Sequence, residues 1–151
     1  MSVARKPLNK GVRLVSEKVI KLKVITPTRV FFEGEVESFI VKTRGEVGEF
    51  AVLVDHAPMT AAVGLGTLVI NLPDGEKKTS TLFDGYAVVQ ENNAVIIAEA
   101  AEWPEEIDSE RAQAAKERAE KRLKQSDADF ARAQNALLRS ISRLELYKLR
   151  K

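Results

Sequence analysis

The sequence predicts an α+β protein: an antiparallel β-sandwich over residues 21–103, then an antiparallel two-helix hairpin over residues 104–151. Three observations predict this. Pro104 is the last proline and Gly85 the last glycine, so the final part of the chain carries no helix breaker. Before Pro104, short runs rich in β-branched and apolar residues are separated by turn signals about every 8–12 residues, the spacing of small antiparallel β-folds. After it, apolar residues recur three or four apart, the period of amphipathic helices.

Residues 1–20 carry 5 basic side chains and 1 acidic one and are interrupted by Pro7, Asn9, Gly11 and Ser16. They read as a flexible N-terminal extension and lack the continuous apolar segment of a secretory signal. In the sandwich, Glu33, Glu35 and Glu37 alternate with Gly34, Val36 and Ser38, and Ile40 continues the inner set, as in a strand with one wet face. Leu68 to Leu72 reads as a strand, Pro73-Asp74-Gly75 as a hairpin turn, and Lys77 to Phe83 as the returning strand. Asp84-Gly85 bends the chain into a further strand, Tyr86 to Gln90. Asn92-Asn93 then turns it into Ala94 to Ala98. Phe31, Phe39, Val41, Phe50, Leu68, Ile70 and Ile96 are the expected core. The uncharged stretch between His56 and Asp74 contains Pro58, Gly64, Gly66 and Pro73, so it reads as strand and turn and not as a membrane span.

Two loops carry unusual chemistry. Gly45-Glu46-Val47-Gly48 presents an acid at the tip of a tight turn, and Asp55-His56-Ala57-Pro58 places the only histidine beside an aspartate. The first is a candidate docking tip. The second is either a reactive pair or an ordinary hydrogen-bonded loop histidine, and a dyad with no second histidine and no elbow serine has nothing to activate.

Asp108 is the expected N-cap of the first tail helix, because its carboxylate can accept the free N–H groups of the first turn. Ala112, Ala115, Ala119 and Leu123 form that helix's apolar face. Ser126 and Asp129 resemble a capping box for the second helix, whose stripe is Phe130, Ala133, Leu137, Ile141 and Leu144. A face built of alanine buries little area, at about 25 cal/mol per Å², so the hairpin is expected to be marginal and able to take two arrangements. Arg111, Arg118 and Arg122 punctuate the first helix, and Arg132, Arg139, Arg143 and Arg150 share a stripe on the second. They form either a solvated basic face or a clamp for a polyphosphate.

The net charge of +2 is segregated. Residues 21–103 hold 7 basic and 12 acidic side chains, and residues 104–151 hold 12 basic and 9 acidic ones. An acidic body with a basic tail suits a tail that meets phosphate or a carboxylate-rich surface. With no cysteine and one histidine, disulfides, thiolate catalysis, Cys-based zinc and multi-histidine metal sites are excluded. No catalytic or metal-binding residues are assigned. The chain has no P-loop, so hydrolysis of a nucleoside triphosphate is not expected of it. The tail's only aromatics are Phe130 and Tyr147, too few for stacking platforms, so no nucleic-acid partner is expected.

Three stretches occur in an order and spacing that resemble a known family. They are Thr26-Pro27 with Phe32-Glu33-Gly34-Glu35-Val36; Gly45-Glu46-Val47-Gly48 leading to His56-Ala57-Pro58; and Ala98-Glu99-Ala100-Ala101-Glu102 leading into Ile107-Asp108-Ser109-Glu110-Arg111-Ala112. From about residue 21 onward the chain closely resembles the epsilon subunit of the bacterial rotary (F-type) ATP synthase. The resemblance implies a β-sandwich of about ten strands with a helical hairpin. It implies a non-catalytic rotor subunit on the cytoplasmic face of the plasma membrane, peripheral and without a span of its own. The partners it implies are the gamma subunit, the membrane c-ring and, when the tail extends, the alpha/beta catalytic head. By it, Glu46 lies on the c-ring side and His56 faces gamma. The tail is implied to inhibit ATP hydrolysis when extended.

Some members of the family bind ATP on the folded hairpin through an Ile/Leu-Asp-x-x-Arg-Ala motif. The motif stands here as Ile107, Asp108, Arg111 and Ala112, and the accompanying positions as Glu102, Arg118, Arg139 and Arg143. ATP, alone or with Mg, is thus implied as a regulatory ligand, with no required cofactor. The four arginines are expected to face one another and repel until an anion arrives. The alternative function is a stand-alone ATP-sensing module. A hydrolase built on Asp55 and His56 is the weakest rival.

Overall fold

The computed structural model describes residues 18–45, 48–127 and 129–150. The expected flexibility of the N-terminal extension and the docking tip at Glu46 therefore fall outside the described residues, apart from residues 18–20. Eight strands come first: β1 (Ile20–Thr26), β2 (Arg29–Val36), β3 (Ser38–Lys42), β4 (Glu49–Leu53), β5 (Met59–Val63), β6 (Gly66–Asn71), β7 (Lys77–Gln90) and β8 (Asn93–Glu102). A 3-10 turn (Pro104–Glu106) leads to helices α1 (Ser109–Leu123) and α2 (Phe130–Lys148).

The strands form one sheet in the order β2-β1-β8-β7-β6-β3-β4, with β5 also paired to β7. All the pairings are antiparallel except β1 with β8. The sheet becomes a sandwich because β7 serves both layers. Its first part pairs with β6 and its second with β5, while β8 runs along most of its length. The change of layer falls at Asp84-Gly85, where Asp84 has a positive φ of 29°. A Cβ on Gly85 would lie 1.9 Å from the carbonyl oxygen of Ile97, so glycine alone allows β8 to pass. The bend read from Asp84-Gly85 is thus a kink within one strand of 14 residues, not a break between two. This merger contributes to a count of eight described strands against about ten expected.

The core holds Ile20, Leu22, Val24, Phe31, Val36, Phe39, Val41, Leu68, Ile70, Leu82 and Ile96, each nearly or fully removed from solvent. Six of the seven expected core residues are among the buried ones; Phe50 is half-buried and packs at the margin. The alternation read from Glu33 through Ile40 holds only to Val36. The chain breaks at Glu37 between β2 and β3, and the phase flips, so Phe39 and Val41 point inward while Ile40 is half-buried. Pro73-Asp74-Gly75 is the expected turn, with Gly75 at φ 91° and Asp74 Oδ1 accepting the N–H of Glu76. The turn expected at Asn92-Asn93 sits one residue earlier, with positive φ at Glu91 and Asn92.

Because this core closes on itself, a fragment of residues 18–103 is expected to melt cooperatively on its own, followed by circular dichroism. A disordered spectrum would contradict the independence of the sandwich. Within it, Phe39→Ala should cost about 3–5 kcal/mol.

The hairpin is built of smaller side chains. Asp108 caps α1, its carboxylate accepting the N–H of Arg111 at 3.0 Å. Asp129 alone caps α2, accepting the N–H of Arg132 at 3.1 Å, so the cap does not involve the Ser126–Asp129 pair as a box. The buried residues of the two helices are Ala112, Ala119, Ala133, Ser140 and Leu146. Phe130, expected on the inner stripe, is 62% exposed because it is the first residue of α2, beyond the packed seam. Ser140 satisfies its own hydroxyl on the carbonyls of Ala136 and Leu137 and so packs as a small residue.

The hairpin lies against the sheet at β6 and β7. Both faces of β7 are covered from Ser80 to Phe83, and Phe83 is buried although it lies outside the sandwich core. What covers it is α2: the guanidinium groups of Arg139 and Arg143 sit over its ring, at 5.7 and 5.0 Å from the centroid. Leu146, 1% exposed, shares a groove with Lys42, Gly66 and Thr67 of the sandwich.

Candidate nucleotide cleft between the hairpin and the sandwich

Four short elements meet where the sheet hands over to the helices. They are the end of β8 with Glu102, the 3-10 turn, the first three turns of α1, and the C-terminal half of α2 with Arg143. They enclose a cleft of ≈360 Å³ lined by Glu102, Glu106, Ile107, Asp108, Arg111, Ala112, Ala115, Arg118 and Arg143. Seven of the eight residues assigned to ATP from the sequence thus share one cleft. Its floor is apolar at Ile107 and Ala112, both buried, and its walls carry guanidinium and carboxylate groups.

The arginines do not stand as four opposed free cations, as the sequence led us to expect. Arg143 is held by a bidentate pair with Glu102, Nε to Oε2 and Nη2 to Oε1, both at 2.7 Å. Arg139 does not line the cleft. It donates from Nη2 to Glu99 at 2.7 Å, and its Nε is buried against the Phe83 ring without an acceptor. Each pair forms because Glu99 and Glu102, three apart at the end of β8, meet an i,i+4 pair of α2 arginines. Only Arg111 and Arg118 enter the cleft from α1, and both are exposed. The expected repulsion in the empty hairpin is therefore relieved in part by Glu99 and Glu102.

Glu106 and Ala115 complete the lining and were not found from the sequence. Glu106 had a signal, three residues beyond Trp103: its Oε2 accepts the N–H of Trp103 at 2.8 Å, the return half of a capping box. The same carboxylate pairs with Arg29 of β2 at 2.6 and 2.7 Å. The hydrogen bond from Arg29 holds the Glu106 carboxyl below its ordinary range, against some opposing desolvation, with further help from the Trp103 N–H. Reciprocally, Glu106 raises Arg29, with the charge of Glu102 adding to the effect.

Folded Glu106 binds its proton less readily than unfolded Glu106, so the pair stabilises above the ordinary carboxylate range of about 4.3 and is lost as pH falls through the lower folded value. Arg29 pairs with Glu106, and Glu102, Asp108, Arg111, Arg118 and Arg143 are the other charged residues of the cleft lining. Trp103 is the single tryptophan and stacks on Phe31 at 4.4 Å between centroids, so its fluorescence should report this acid transition. Glu106→Gln should abolish that step, and an unchanged step would contradict the assignment.

At the other end of the sandwich, His56 Nδ1 bonds the carbonyl of Ala57 at 2.7 Å. Asp55 turns away from it. It exchanges hydrogen bonds with Asn92 and pairs with Lys18, and these, Asn92 first, hold its carboxyl below the usual range. No Asp55–His56 dyad exists, which removes the hydrolase reading. His56 is a loop histidine.

Two family models match in sequence. One, ATP synthase, Delta/Epsilon chain, beta-sandwich domain, spans residues 19–104. The other, ATP synthase, Delta/Epsilon chain, long alpha-helix domain, spans residues 105–148. The chain belongs to the ATP synthase delta/epsilon family. As such it is a non-catalytic subunit of an ATP synthase. The ATP synthase epsilon chain of Caldanaerobacter subterraneus subsp. tengcongensis is 44% identical over 133 residues, covering 86% of this chain and 94% of that one. A sodium ion specific epsilon chain from Acetobacterium woodii is 46% identical over 106 residues, 70% of this chain and 78% of that one. A chain of the Euglena gracilis mitochondrial ATP synthase, solved as OSCP/F1/c-ring in one rotational state, shares the fold with a TM-score of 0.75 at 22% identity. It is covered to 89% and covers 96% of this chain. None of this epsilon-type chain's described helices is long and apolar enough to cross a membrane.

Proposed function

We propose that this subunit couples rotation of the c-ring to the catalytic head from the central stalk, and that its hairpin regulates ATP hydrolysis by docking or extending. The observation that carries the regulatory part is the cleft. With the hairpin on the sandwich, Glu102 at the end of β8 and Arg143 of α2 join Ile107, Asp108, Arg111, Ala112 and Arg118 in one cleft. A ligand that needs this cleft stabilises the docked form, by no more than its differential affinity for that form. ATP fits its chemistry. Guanidinium groups suit the phosphates, the buried Ile107 and Ala112 suit a flat base, and the carboxylates suit hydroxyl and amino donors.

The partners in this reading are gamma and the c-ring, reached from the sandwich, with His56 on the gamma side and Glu46 on the c-ring side. The location is peripheral, on the cytoplasmic face of the membrane. The extended tail meets the alpha/beta head, where its excess of basic side chains suits an acidic surface. ATP therefore favours the docked, non-inhibiting form.

The test is ATP hydrolysis by the reconstituted synthase carrying either the whole chain or residues 1–103. Removal of the tail is expected to raise hydrolysis severalfold at low ATP while ion-driven synthesis persists. Equal hydrolysis from the two complexes would remove the regulatory role.

A further inference from the structure

We propose that Arg29, on strand β2 of the sandwich, is a positioning residue for the cleft: by gripping Glu106 it holds the motif segment 107–112 in the form that binds a nucleotide triphosphate. The inference rests on the nucleotide reading above and names the part of the sandwich that controls it.

The grip is made at both ends of the 3-10 turn. Arg29 pairs with both oxygens of Glu106, the turn's last residue. Two positions along the same strand, Phe31 stacks on Trp103, the residue before the turn, and the Arg29 guanidinium lies 5.2 Å from the Phe31 ring centroid. Glu106 Oε2 also accepts the Trp103 N–H. One β2 segment therefore fixes the entry and exit of the turn. Beyond it the chain has little freedom left. The Ile107 N–H bonds the Pro104 carbonyl, Ile107 is 5% exposed, and Asp108 caps α1 through the Arg111 N–H. Release of Glu106 would free the run that carries the floor and one wall of the cleft.

The pair has a second effect. Glu106 lines the cleft beside Asp108 and Glu102. Left unpaired, it would present another negative charge to an incoming polyanion. Arg29 neutralises it from outside the lining. A bidentate fork achieves both effects, whereas an ammonium in its place supplies the charge without the geometry.

The experiment is calorimetric titration of the whole chain with ATP, for the wild type, Arg29→Ala, Arg29→Lys and Glu106→Gln. It is paired with hydrogen exchange of the α1 amides without nucleotide. Arg29→Ala is expected to weaken ATP about tenfold, the scale of a lost charge-assisted fork, and to speed exchange across α1. Arg29→Lys should fall between it and the wild type, an intermediate that loss of packing alone would not produce. Wild-type affinity and exchange in Arg29→Ala would overturn the proposal. Should Arg29→Ala fail to fold, Arg29→Lys and Glu106→Gln carry the same comparison, and wild-type values in both would overturn it. Should the wild type bind no ATP, the nucleotide reading falls. The grip is then judged by exchange alone: faster α1 exchange in Arg29→Ala supports it and unchanged exchange refutes it.

Discussion

Arg111→Ala and Arg143→Ala are each expected to weaken ATP binding about ten- to hundredfold. A guanidinium–phosphate contact is worth about 1.5–3 kcal/mol, and each 1.4 kcal/mol is a factor of ten. Both side chains line the cleft, one from each helix. Arg139 and Arg150 set the contrast. Arg139 is committed to Glu99 outside the cleft, and Arg150 lies over the Tyr147 ring, so alanine at either should cost less than about fivefold. Arg143 also has a competitor. Its fork is already filled by Glu102, so a phosphate must displace a carboxylate that occupies the anion's place. Glu102→Gln should consequently bind inorganic tripolyphosphate more tightly than the wild type does. Equal losses from Arg111→Ala, Arg143→Ala and Arg150→Ala in titration calorimetry would mean a diffuse basic face.

Leu146→Ala and Phe83→Ala should undock the hairpin. Truncating a buried side chain of this size costs about 2–5 kcal/mol. Leu146 is the one large side chain that α2 buries fully, and Phe83 is the apolar surface on which Arg139 and Arg143 rest. The other fully buried residues of the hairpin are alanine and serine, whose burial offsets little of its ordering entropy. Amide exchange of α2 should therefore approach that of an undocked helix in both variants, while Ile70 and Ile96 in the sandwich stay protected. ATP should bind more weakly in proportion to the lost docked population. Protection of α2 at the wild-type level would show that docking rests elsewhere.

The reach of the sequence can be read from the same residues. The junction at Pro104, the Asp108 cap, the Gly75 turn and the alanine face were all legible, because each depends on local backbone chemistry. The motif was legible as a pattern, and seven of its eight associated residues share the cleft. Arg139, assigned with Arg143 by the resemblance, stands on Glu99 outside the cleft; helical periodicity puts it on the stripe of Arg143 and cannot show which acid on β8 will meet it. The same cause hid the filling of Arg143 by Glu102. The strand phase failed at Glu37, where a single residue between β2 and β3 flips every side chain that follows. Within the returning strand read from Lys77 to Phe83, Ser80 and Thr81 are fully buried. The hydroxyl of Thr81 reaches the backbone of Glu102, and α2 covers this part of β7, which no local pattern announces. Arg29 lies 77 residues from Glu106, beyond any local signal.

The most direct test of the account is the distance between the hairpin and the sandwich in the assembled synthase, with and without ATP. The chain has no cysteine, so single cysteines at Glu91, on the β7–β8 turn, and Lys148, at the end of α2, can be labelled cleanly for pulsed electron spin measurement. ATP is expected to raise the population at the short, docked distance, and Arg111→Ala to prevent that rise. A distance distribution indifferent to ATP would contradict the claim that the nucleotide holds the hairpin down.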